Sequence, residues 1–414
     1  MSQLYDLFKA HPVVSTDTRR IAPDSLFFAL RGASFDGNRF AAEALERGAA
    51  YAVVEDPTVA TDERMILVED TLTTLQALAR EHRRALGIPI LAIAGSNGKT
   101  TTKELISRVL AERYRLYATL GNLNNHIGVP LTLLAMSAQT EFGVVEMGAS
   151  SCGEIAALCA IAEPNFGILT NVGRAHLEGF GGVEGVRRGK GELYDYLAAT
   201  DGKAFVRTDD PVLMAMAEAR STLQQITYTE SEGAGIPHHL EGAFNRYNVA
   251  AAAAVGRHFG IEEEALQRAI GSYRPDNNRS QRTVTEHNTL IVDCYNANPS
   301  SMQLSVANVL TEPLGERKRR VLILGDMREL GAWSEEEHRA IIRQASADPA
   351  TQLWLVGEEF GKALASLQLT ADHITSFTSC KALCEALQTT PLRDALVLIK
   401  GSRGIGLERA IPLL

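Results

Sequence analysis

Seven short apolar runs recur along the chain, and a polar or glycine-bearing group ends each of them. The runs are ILAIAG, FGVVEM, FGILTNV, TLIVDCY, RVLILGD, LWLVGE and ALVLIKGS. Helix-length segments such as 261–272 separate them, and this alternation predicts an α/β fold of parallel sheets flanked by helices. Ligands bind outside the carboxyl ends of the strands in such sheets. We therefore expect function at or beside Glu146, Asn171, Asp293, Asp326 and Lys400.

The chain is long enough for two or three domains, with 414 residues of which 45% are apolar. A basic stretch, REHRRALGIPI, lies at 80–90 just before the apolar run ILAIAG, and the polar, helix-breaking stretch SYRPDNNRSQR lies at 272–282. These stretches predict domains at 1–85, 86–274 and 275–414. The alanine-rich segment NVAAAAAVGRHFG is typical of a buried helix that a glycine closes.

Charge and composition exclude several classes of protein. A formal charge of −9 argues against nucleic-acid binding, which normally leaves a basic footprint. No stretch approaches the ~20 apolar residues of a membrane span, and the N-terminus does not read as a signal peptide. The chain has five cysteines, an odd number, and their spacing matches neither a metal site nor a disulfide framework. We expect a cytoplasmic monomer with reduced, structural cysteines.

The segment AIAGSNGKTTTKE, residues 92–104, combines an apolar strand with a glycine-bearing turn and the start of a helix. Gly95 and Gly98 allow close backbone approach, and helix N-terminal amides attract phosphate. Lys99 would reach the terminal phosphates and Thr100 a Mg²⁺ ion. The spacing is the short form Gly-x-x-Gly-Lys-Thr, because Ile93 stands where the longer motif has its first glycine. By itself, such a turn indicates a nucleotide site or occurs by chance.

Other strand ends carry groups that admit two interpretations each. Glu146 is positioned as a metal-binding or water-orienting carboxylate, or it is a solvated strand-end acid. A lone histidine such as His176 is more often structural, and Lys190 would usually be one more charge on an exposed helix face. Asp293 and the asparagines of YNANPSSM can be turn and capping groups. Polar ends on three strands of one predicted domain nevertheless favour a substrate site.

Taken together, the motifs resemble those of the Mur ligases of bacterial peptidoglycan synthesis, nearly from end to end. The segments that carry the resemblance are STDTR, GASFDGNRF, GSNGKTTTKE, TLGNLNNHIGVPLTLL, VVEMGAS, AHLEGFGGVEGVRRGKGE, DCYNANPSSM, LGDMRELG and KGSRG. The asparagine-rich and YNANP segments discriminate best. The sequence lacks the Asp-Asn-Pro-Arg tetrapeptide of the branch that adds diaminopimelate, and this favours the branch that adds D-alanyl-D-alanine.

The resemblance implies three domains: an N-terminal domain that holds a UDP group, a central P-loop ATPase domain, and a C-terminal Rossmann-like domain that brings the dipeptide. The implied substrates are ATP, UDP-MurNAc-tripeptide and D-Ala-D-Ala. ATP would phosphorylate the terminal carboxylate of the tripeptide, and the dipeptide amine would attack the acyl phosphate. The product would be UDP-MurNAc-pentapeptide.

The resemblance also implies roles for particular residues. Lys99 stabilises the transferring phosphoryl group, Thr100 and Glu146 hold one Mg²⁺ ion, and His176 helps to hold a second. Lys190 matches a lysine that is carbamylated in the family, which would make it an anionic Mg²⁺ ligand. The implied nucleotide contacts are Gly95, Asn97, Gly98, Lys99, Thr100, Thr101, Asn245, Asn248, Arg279, Asp293 and Tyr295. The implied substrate contacts are Thr18, Arg19, Asp36, Gly37 and Asn38 for the UDP end, with Asn122, Asn124, Asn125, Asn296, Asn298 and Lys400 elsewhere.

Two departures from the family pattern bear on these expectations. Phe244 stands where the family has a histidine, beside the implied adenine contacts, and the segment between Asp210 and Gly242 is short. The departures bear on the adenine contact and on the size of the central domain, and they leave the phosphate loop and the implied metal residues intact. Two alternatives stay open for other reasons: a ligase for a different amino-acid acceptor, and a nucleotide-binding scaffold without turnover, against which the presence of Lys99, Glu146, His176 and Lys190 counts. The first predicts turnover with another acceptor, and the second predicts ATP binding without acceptor-dependent turnover.

Overall fold

The computed structural model describes residues 2–275, 278–369 and 371–414, and these contain three helix-flanked sheets and a short hairpin. The sheets lie within 14–67, 90–228 and 281–400. All seven apolar runs form strands, so the predicted α/β class is confirmed. The domain limits at 85 and 274 stay predictions, and the first of them falls in the last turn of a helix. No helix in the described ranges is both long and apolar enough to cross a membrane.

The N-terminal sheet has four parallel strands in the order β1-β2-β5-β6, and β3 and β4 form a separate antiparallel hairpin. The elements are α1 (Gln3–Ala10), β1 (Val14–Ser15), β2 (Leu26–Phe28), β3 (Arg31–Gly32), β4 (Phe35–Asp36), α2 (Ala41–Glu46), β5 (Tyr51–Val54), β6 (Met65–Leu67) and α3 (Thr71–Leu86).

The central sheet has six parallel strands in the order β12-β11-β10-β7-β9-β8. Its elements are β7 (Ile90–Ala94), α4 (Lys99–Ala111), β8 (Leu116–Ala118), α5 (Gly128–Leu134), β9 (Phe142–Glu146), α6 (Glu154–Ala162), β10 (Phe166–Leu169), α7 (Leu177–Phe180), α8 (Val183–Ala199), β11 (Lys203–Arg207), α9 (Pro211–Glu218), β12 (Gln224–Tyr228), α10 (Asn245–His258) and α11 (Glu263–Gly271).

Strand β7 shows why the central strands read as continuous apolar runs. Leu91 and Ile93 pack into one core with α4 and α10, whereas Ile90 and Ala92 pack into the core on the opposite face. All five residues of the strand are buried. A sheet that helices cover on both faces requires apolar side chains at every position. The alanine-rich segment forms α10, and it is buried as predicted.

The C-terminal sheet has the order β13-β14-β18-β15-β16-β17 and is parallel except for β13. Its elements are β13 (Gln281–Val284), β14 (Asn288–Asp293), α12 (Pro299–Thr311), β15 (Arg319–Gly325), α13 (Ser334–Ala345), β16 (Thr351–Val356), α14 (Glu358–Leu367), β17 (Ile374–Phe377), α15 (Cys380–Thr389) and β18 (Ala395–Lys400). Asp293 and Lys400 are register partners on adjacent strands.

All five cysteines are free thiols, in agreement with the sequence prediction. Three of them are buried: Cys159, Cys294 and Cys380. Burial raises the pKa of Cys294 to about 11, which keeps its thiol protonated and unreactive at neutral pH. The three buried cysteines therefore act as small apolar side chains.

Candidate functional site

The turn between β7 and α4 can be built only with glycine at two positions. Gly95 has a φ of 135°, and a Cβ there would lie 2.1 Å from Thr170 Oγ1. Gly98 has a φ of 78°, and a Cβ there would lie 2.6 Å from Asn248 Oδ1. Both positions are therefore closed to other residues by conformation and by space. Gly98 caps α4 without a side-chain hydrogen bond, which leaves the first-turn amides to a ligand such as phosphate.

The end of strand β10 holds this turn in shape. Thr170 Oγ1 donates to the Asn97 carbonyl at 2.6 Å, and Asn171 Nδ2 donates to the same oxygen at 2.9 Å. In return, the Ser96 amide donates to the Asn171 carbonyl at 3.0 Å. Because these bonds join the phosphate loop to the end of a buried strand, they fix its shape, and this lowers the entropy cost of ordering it around a nucleotide.

Lys99 curls back over the loop. Its Nζ donates to the carbonyls of Gly95 at 2.8 Å and Ser96 at 3.2 Å. Burial lowers the pKa of Lys99 to about 8, although the nearby Glu146 carboxylate acts in the opposite direction. A phosphate anion in the loop would favour the charged ammonium and restore an ordinary pKa.

Glu146 is buried at the end of β9, beside the loop, and is 1% exposed. Its Oε1 accepts from Thr100 Oγ1 at 3.2 Å and from Asn124 Nδ2 at 2.8 Å. Its Oε2 is buried and has no hydrogen-bond partner within the ranges that the structure describes. An unpaired carboxylate oxygen in such a place is costly, and a divalent cation would satisfy it. The solvated alternative for Glu146 is therefore wrong, and the donor set fits Mg²⁺.

Lys190 is 1% exposed on α8, so its interpretation as a charge on an exposed helix face is wrong. Its Nζ donates to the Ala149 carbonyl at 2.9 Å and lies 4.9 Å from the centroid of the Phe180 ring. Burial, and secondarily the charge of Lys99, lowers the pKa of Lys190 to about 7. A large share of this amine is therefore unprotonated at neutral pH.

The C-terminal domain supplies the opposite wall. Asp293 accepts hydrogen bonds from Lys400, from Ser305 Oγ at 3.1 Å and from the Ser280 amide at 3.2 Å. The guanidinium of Arg279 lies 4.0 Å from the centroid of the Tyr295 ring, an arrangement that adds a cation and an aromatic face to the wall.

Asn298 links the two walls. Its Nδ2 donates to Asn97 Oδ1 of the phosphate loop at 2.8 Å, while its Oδ1 accepts from the Ser301 amide at 2.9 Å and caps α12. The capping interpretation of this segment is thus confirmed. The same side chain also joins the C-terminal domain to the nucleotide loop.

Together these groups enclose a cavity of about 640 Å³ between the central and C-terminal domains. The predicted residues that line it are Asn97, Gly98, Lys99, Thr100, Thr101, Asn122, Asn124, Asn125, Glu146, His176, Asn245, Asn248, Arg279, Asp293, Tyr295, Asn296, Asn298 and Lys400. His176 meets Glu329 of the C-terminal domain at its edge. A second cavity of about 1090 Å³ adjoins it, and Glu329 lines both.

Some predicted residues do not line the main cavity. Gly95 lies beneath the loop, Lys190 lies behind Ala149, and Asp326 instead accepts the amides of Glu359 at 3.1 Å and Phe360 at 2.9 Å to cap α14. Asn171, by contrast, does line the main cavity. Asp326 thus binds the first turn of α14 and lines the second cavity, so a functional role for it stays a prediction.

The five residues predicted for the UDP end, Thr18, Arg19, Asp36, Gly37 and Asn38, also lie outside the main cavity. Asn38 is buried: its Oδ1 accepts from the Glu55 amide at 2.9 Å, and its Nδ2 donates to Asp36 Oδ1 at 2.8 Å. The Asn38 side chain thus supports the N-terminal fold. A role in UDP binding stays a prediction for all five.

The sequence analysis missed several cavity residues: Ser96, Arg207, Tyr247 and Ser300. The guanidinium of Arg207 lies 4.0 Å from the centroid of the Tyr247 ring, at the end of the cavity where Asn248 lies. Helical spacing could have identified Tyr247, because it lies one turn after Phe244 and beside Asn248. Nothing in the sequence joins Arg207, at the end of β11, to that helix.

Comparison with known proteins gives matches over most of the chain. Three family models match: the Mur ligase family catalytic domain at 12–83, the Mur ligase middle domain at 93–240, and the Mur ligase glutamate ligase domain at 278–403. The UDP-N-acetylmuramoyl-tripeptide--D-alanyl-D-alanine ligase of Bacillus subtilis is 36% identical over 96% of this chain and 92% of the relative. The Escherichia coli enzyme of the same name is 30% identical over 100% of this chain and 98% of the relative.

Solved structures agree with these matches. MurF from Acinetobacter baumannii superposes with a TM-score of 0.84 at 28% identity, covering 98% of this chain and 97% of that one. MurF from Thermotoga maritima, solved in complex with ADP, superposes with a TM-score of 0.83 at 26% identity. This match covers 100% of this chain and 98% of that one. With family models matched on all three of its sheets and relatives alike over almost its whole length, the chain belongs to the Mur ligase family.

Proposed function

We propose that this protein is an ATP-dependent ligase that joins D-alanyl-D-alanine to UDP-N-acetylmuramoyl-tripeptide and yields the pentapeptide precursor of peptidoglycan. The observation that carries the proposal is one cavity in which the phosphate loop lies beside Glu146 Oε2, which has no partner among the described residues, with C-terminal residues on the opposite wall. The names of relatives that match over almost the whole chain support the choice of substrates.

The reaction must make a carboxylate electrophilic. A terminal carboxylate oxygen of the tripeptide attacks the γ-phosphorus of ATP, and the bond from that phosphorus to the β-γ bridging oxygen breaks, releasing ADP. The dipeptide amine then attacks the acyl carbon of the mixed anhydride, and inorganic phosphate leaves as the amine loses a proton. Both steps bring anions together, so positioning and positive charge supply most of the catalysis.

The side chains of this protein suit those steps. The uncapped first turn of α4 and Lys99 would bind the β- and γ-phosphates. Mg²⁺ would be held by Thr100 and Glu146, with His176 and a carbamylated Lys190 at a second site, and when bound it neutralises charge on the phosphoryl group. Arg279 and Tyr295 would approach the nucleotide from the C-terminal domain.

Carbamylation of Lys190 suits its surroundings. Only an unprotonated amine reacts with CO₂, and a pKa of about 7 provides that form at neutral pH. The carbamate would replace a buried cation by anionic oxygens, which are the ligands that Mg²⁺ prefers. Lys190→Ala should abolish most turnover, and a short-chain carboxylate should restore part of it. Wild-type rates in this variant would refute the carbamate role.

The test of the main proposal is phosphate release from Mg-ATP with UDP-MurNAc-tripeptide. The reaction is run with D-Ala-D-Ala, with free amino acids and without acceptor, and the product mass is measured. We expect release that depends on the dipeptide, with the mass of the pentapeptide product. Release with another acceptor would change the substrate and keep the ligase, whereas ATP binding without release would indicate a non-catalytic scaffold.

A further inference from the structure

The side chain of His176 meets that of Glu329 across the boundary between the central and C-terminal domains. His176 Nδ1 contacts Glu329 Oε2, and the two residues are 153 positions apart in sequence. Both line the main cavity. Within the described ranges, Nδ1 is the ring nitrogen of His176 that has a hydrogen-bond partner, so Nε2 is left for another ligand.

The backbone on both sides fixes this pair. His176 is the N-cap of α7 with a φ of 51°, and Glu329 has a φ of 62°, so both adopt the left-handed conformation that side chains disfavour. The Glu178 amide donates to the Glu329 carbonyl at 3.2 Å. Gly331 lies against Glu178, where an added Cβ would be 3.0 Å from Glu178 Cγ. Loops from two domains are thus shaped to bring one carboxylate to one imidazole.

Histidine ligands to metals usually donate their second ring N–H to a carboxylate or carbonyl, which fixes the tautomer and the ring orientation. We propose that Glu329 is such a positioning residue: its carboxylate accepts the proton of His176 Nδ1 and turns Nε2 toward the cavity as the metal-binding nitrogen. This inference rests on the proposed function, because it requires a Mg²⁺ site at His176.

The consequence is a link between acceptor binding and ATP chemistry. Glu329 belongs to the loop after β15 in the C-terminal domain and also lines the second cavity, whereas His176 belongs to the domain that carries the phosphate loop. The second metal site is therefore complete only when the C-terminal domain is docked. Phosphoryl transfer would then depend on the position of the domain that lies on the acceptor side.

An ordinary ion pair is the alternative. The Glu329 side chain is 58% exposed, and an ordinary exposed ion pair contributes little to stability and has no effect on a metal. The two interpretations differ in what Glu329 does to His176 and to divalent cations. They can be separated without measuring turnover.

The first experiment titrates Mn²⁺ into the full-length protein with a non-hydrolysable ATP analogue and follows free Mn²⁺ by electron paramagnetic resonance. Glu329→Ala should raise the Mn²⁺ Kd of the weaker site about tenfold, and Glu329→Gln should raise it less, because an amide oxygen still accepts the Nδ1 proton. The control is Glu335→Gln, an exposed acid of the same domain that pairs with Arg339. Circular dichroism and thermal unfolding check that each variant folds.

Imidazole ¹⁵N spectra provide the second measurement, which needs no metal. The His176 signals are assigned by their loss in His176→Ala. In the wild type at pH 8 we expect the tautomer protonated at Nδ1, and in Glu329→Ala we expect a shift toward the Nε2-protonated tautomer.

The outcomes separate this inference from the proposed function. A Mn²⁺ Kd within twofold of wild type in Glu329→Ala, together with weakened binding in His176→Ala, would overturn the role of Glu329 and leave the metal site in place. Unchanged binding in His176→Ala would remove the metal assignment and the inference with it. Turnover with D-Ala-D-Ala tests the ligase reaction independently of both results.

Discussion

The central domain meets its two neighbours through interfaces of different character. Toward the N-terminal domain, helix α3 buries Leu75, Leu78 and the guanidinium of Arg83. Toward the C-terminal domain, apolar contacts such as that of Trp333 with Gly182 are joined by polar ones, such as the pair of the partly exposed Arg174 with Glu337 at 3.0 Å. Water can replace partly exposed polar contacts at little cost, whereas it cannot replace buried ones. From this difference we expect the C-terminal domain to separate from the central domain more easily than the N-terminal domain does.

The bonds of Arg83 show how firmly the first interface is tied. Its guanidinium donates to the carbonyls of Ala162 at 3.0 Å and Glu163 at 3.1 Å and to Asn165 Oδ1 at 2.8 Å. The neighbouring His82 lies between the Tyr5 hydroxyl at 3.2 Å and the Met136 carbonyl at 2.8 Å. One turn of helix α3 thus ties the N-terminal helix and the central domain together.

The largest effect should follow from Arg83→Met, which removes the guanidinium donor from the Ala162 and Glu163 carbonyls and leaves Asn165 Oδ1 with the Ile90 amide as its donor. We expect the free energy of unfolding to fall by ~2–3 kcal/mol, measured by urea denaturation. The matched control is Arg84→Met, whose side chain is 64% exposed and pairs with Glu163, with an expected loss of about 0.5 kcal/mol. Equal losses in the two variants would mean that the α3 interface is not held by buried bonds.

Arg174→Met should lower the free energy of unfolding less than Arg83→Met does, and it should change the position of the C-terminal domain more. Glu337 is 8% exposed in its side chain, so losing its partner should cost ~1 kcal/mol. Trp333, one of two tryptophans in the chain, packs near Gly182 of the central domain and should report separation as a change in fluorescence. Arg343→Met, which breaks a pair within α13, is the control. An unchanged spectrum would contradict a movable interface.

Substitutions of Asn298 distinguish its cap on helix α12 from its contact with Asn97 of the phosphate loop. Asn298→Ala removes the cap of α12 and should cost ~1 kcal/mol. Asn298→Asp keeps an acceptor for the cap and loses the donor to Asn97, so its cost in unfolding free energy should stay below ~0.5 kcal/mol. ATP affinity measured by calorimetry should change in both variants if the Asn97 contact shapes the loop. A change confined to the alanine variant would assign Asn298 to capping alone.

The smallest effect concerns pH at the first interface. Burial lowers the pKa of His82 below its usual 6.5, and the Met136 carbonyl only partly offsets this. Below pH 6.5 the unfolded chain therefore binds a proton that the folded chain does not, and stability falls as pH falls. His82→Gln should show a shallower loss of unfolding free energy between pH 7.5 and 5.5. The exposed His239→Gln should retain the wild-type slope, and a wild-type slope in His82→Gln would refute the assignment.

Much of the fold and the phosphate loop follow from local sequence. Strands such as Phe142–Glu146 and Ala395–Lys400 are predictable because a sheet covered on both faces needs uninterrupted apolar residues. Gly95 and Gly98 are predictable because no other residue fits their positive φ and their close neighbours. These features depend on residues that are near one another in the chain, so a pattern can record them.

Tertiary structure alone decided the environments of the site residues. The sequence cannot distinguish a buried Lys190 from an exposed one, since its environment is set by Ala149 and Phe180 on other elements. It could not show that Asp326 caps a helix or that Glu329 meets His176. Burial and charge pairing are properties of side chains that folding brings together from distant positions. The sequence of this protein therefore determined which groups are present, and the packing of three domains determined what each group can do.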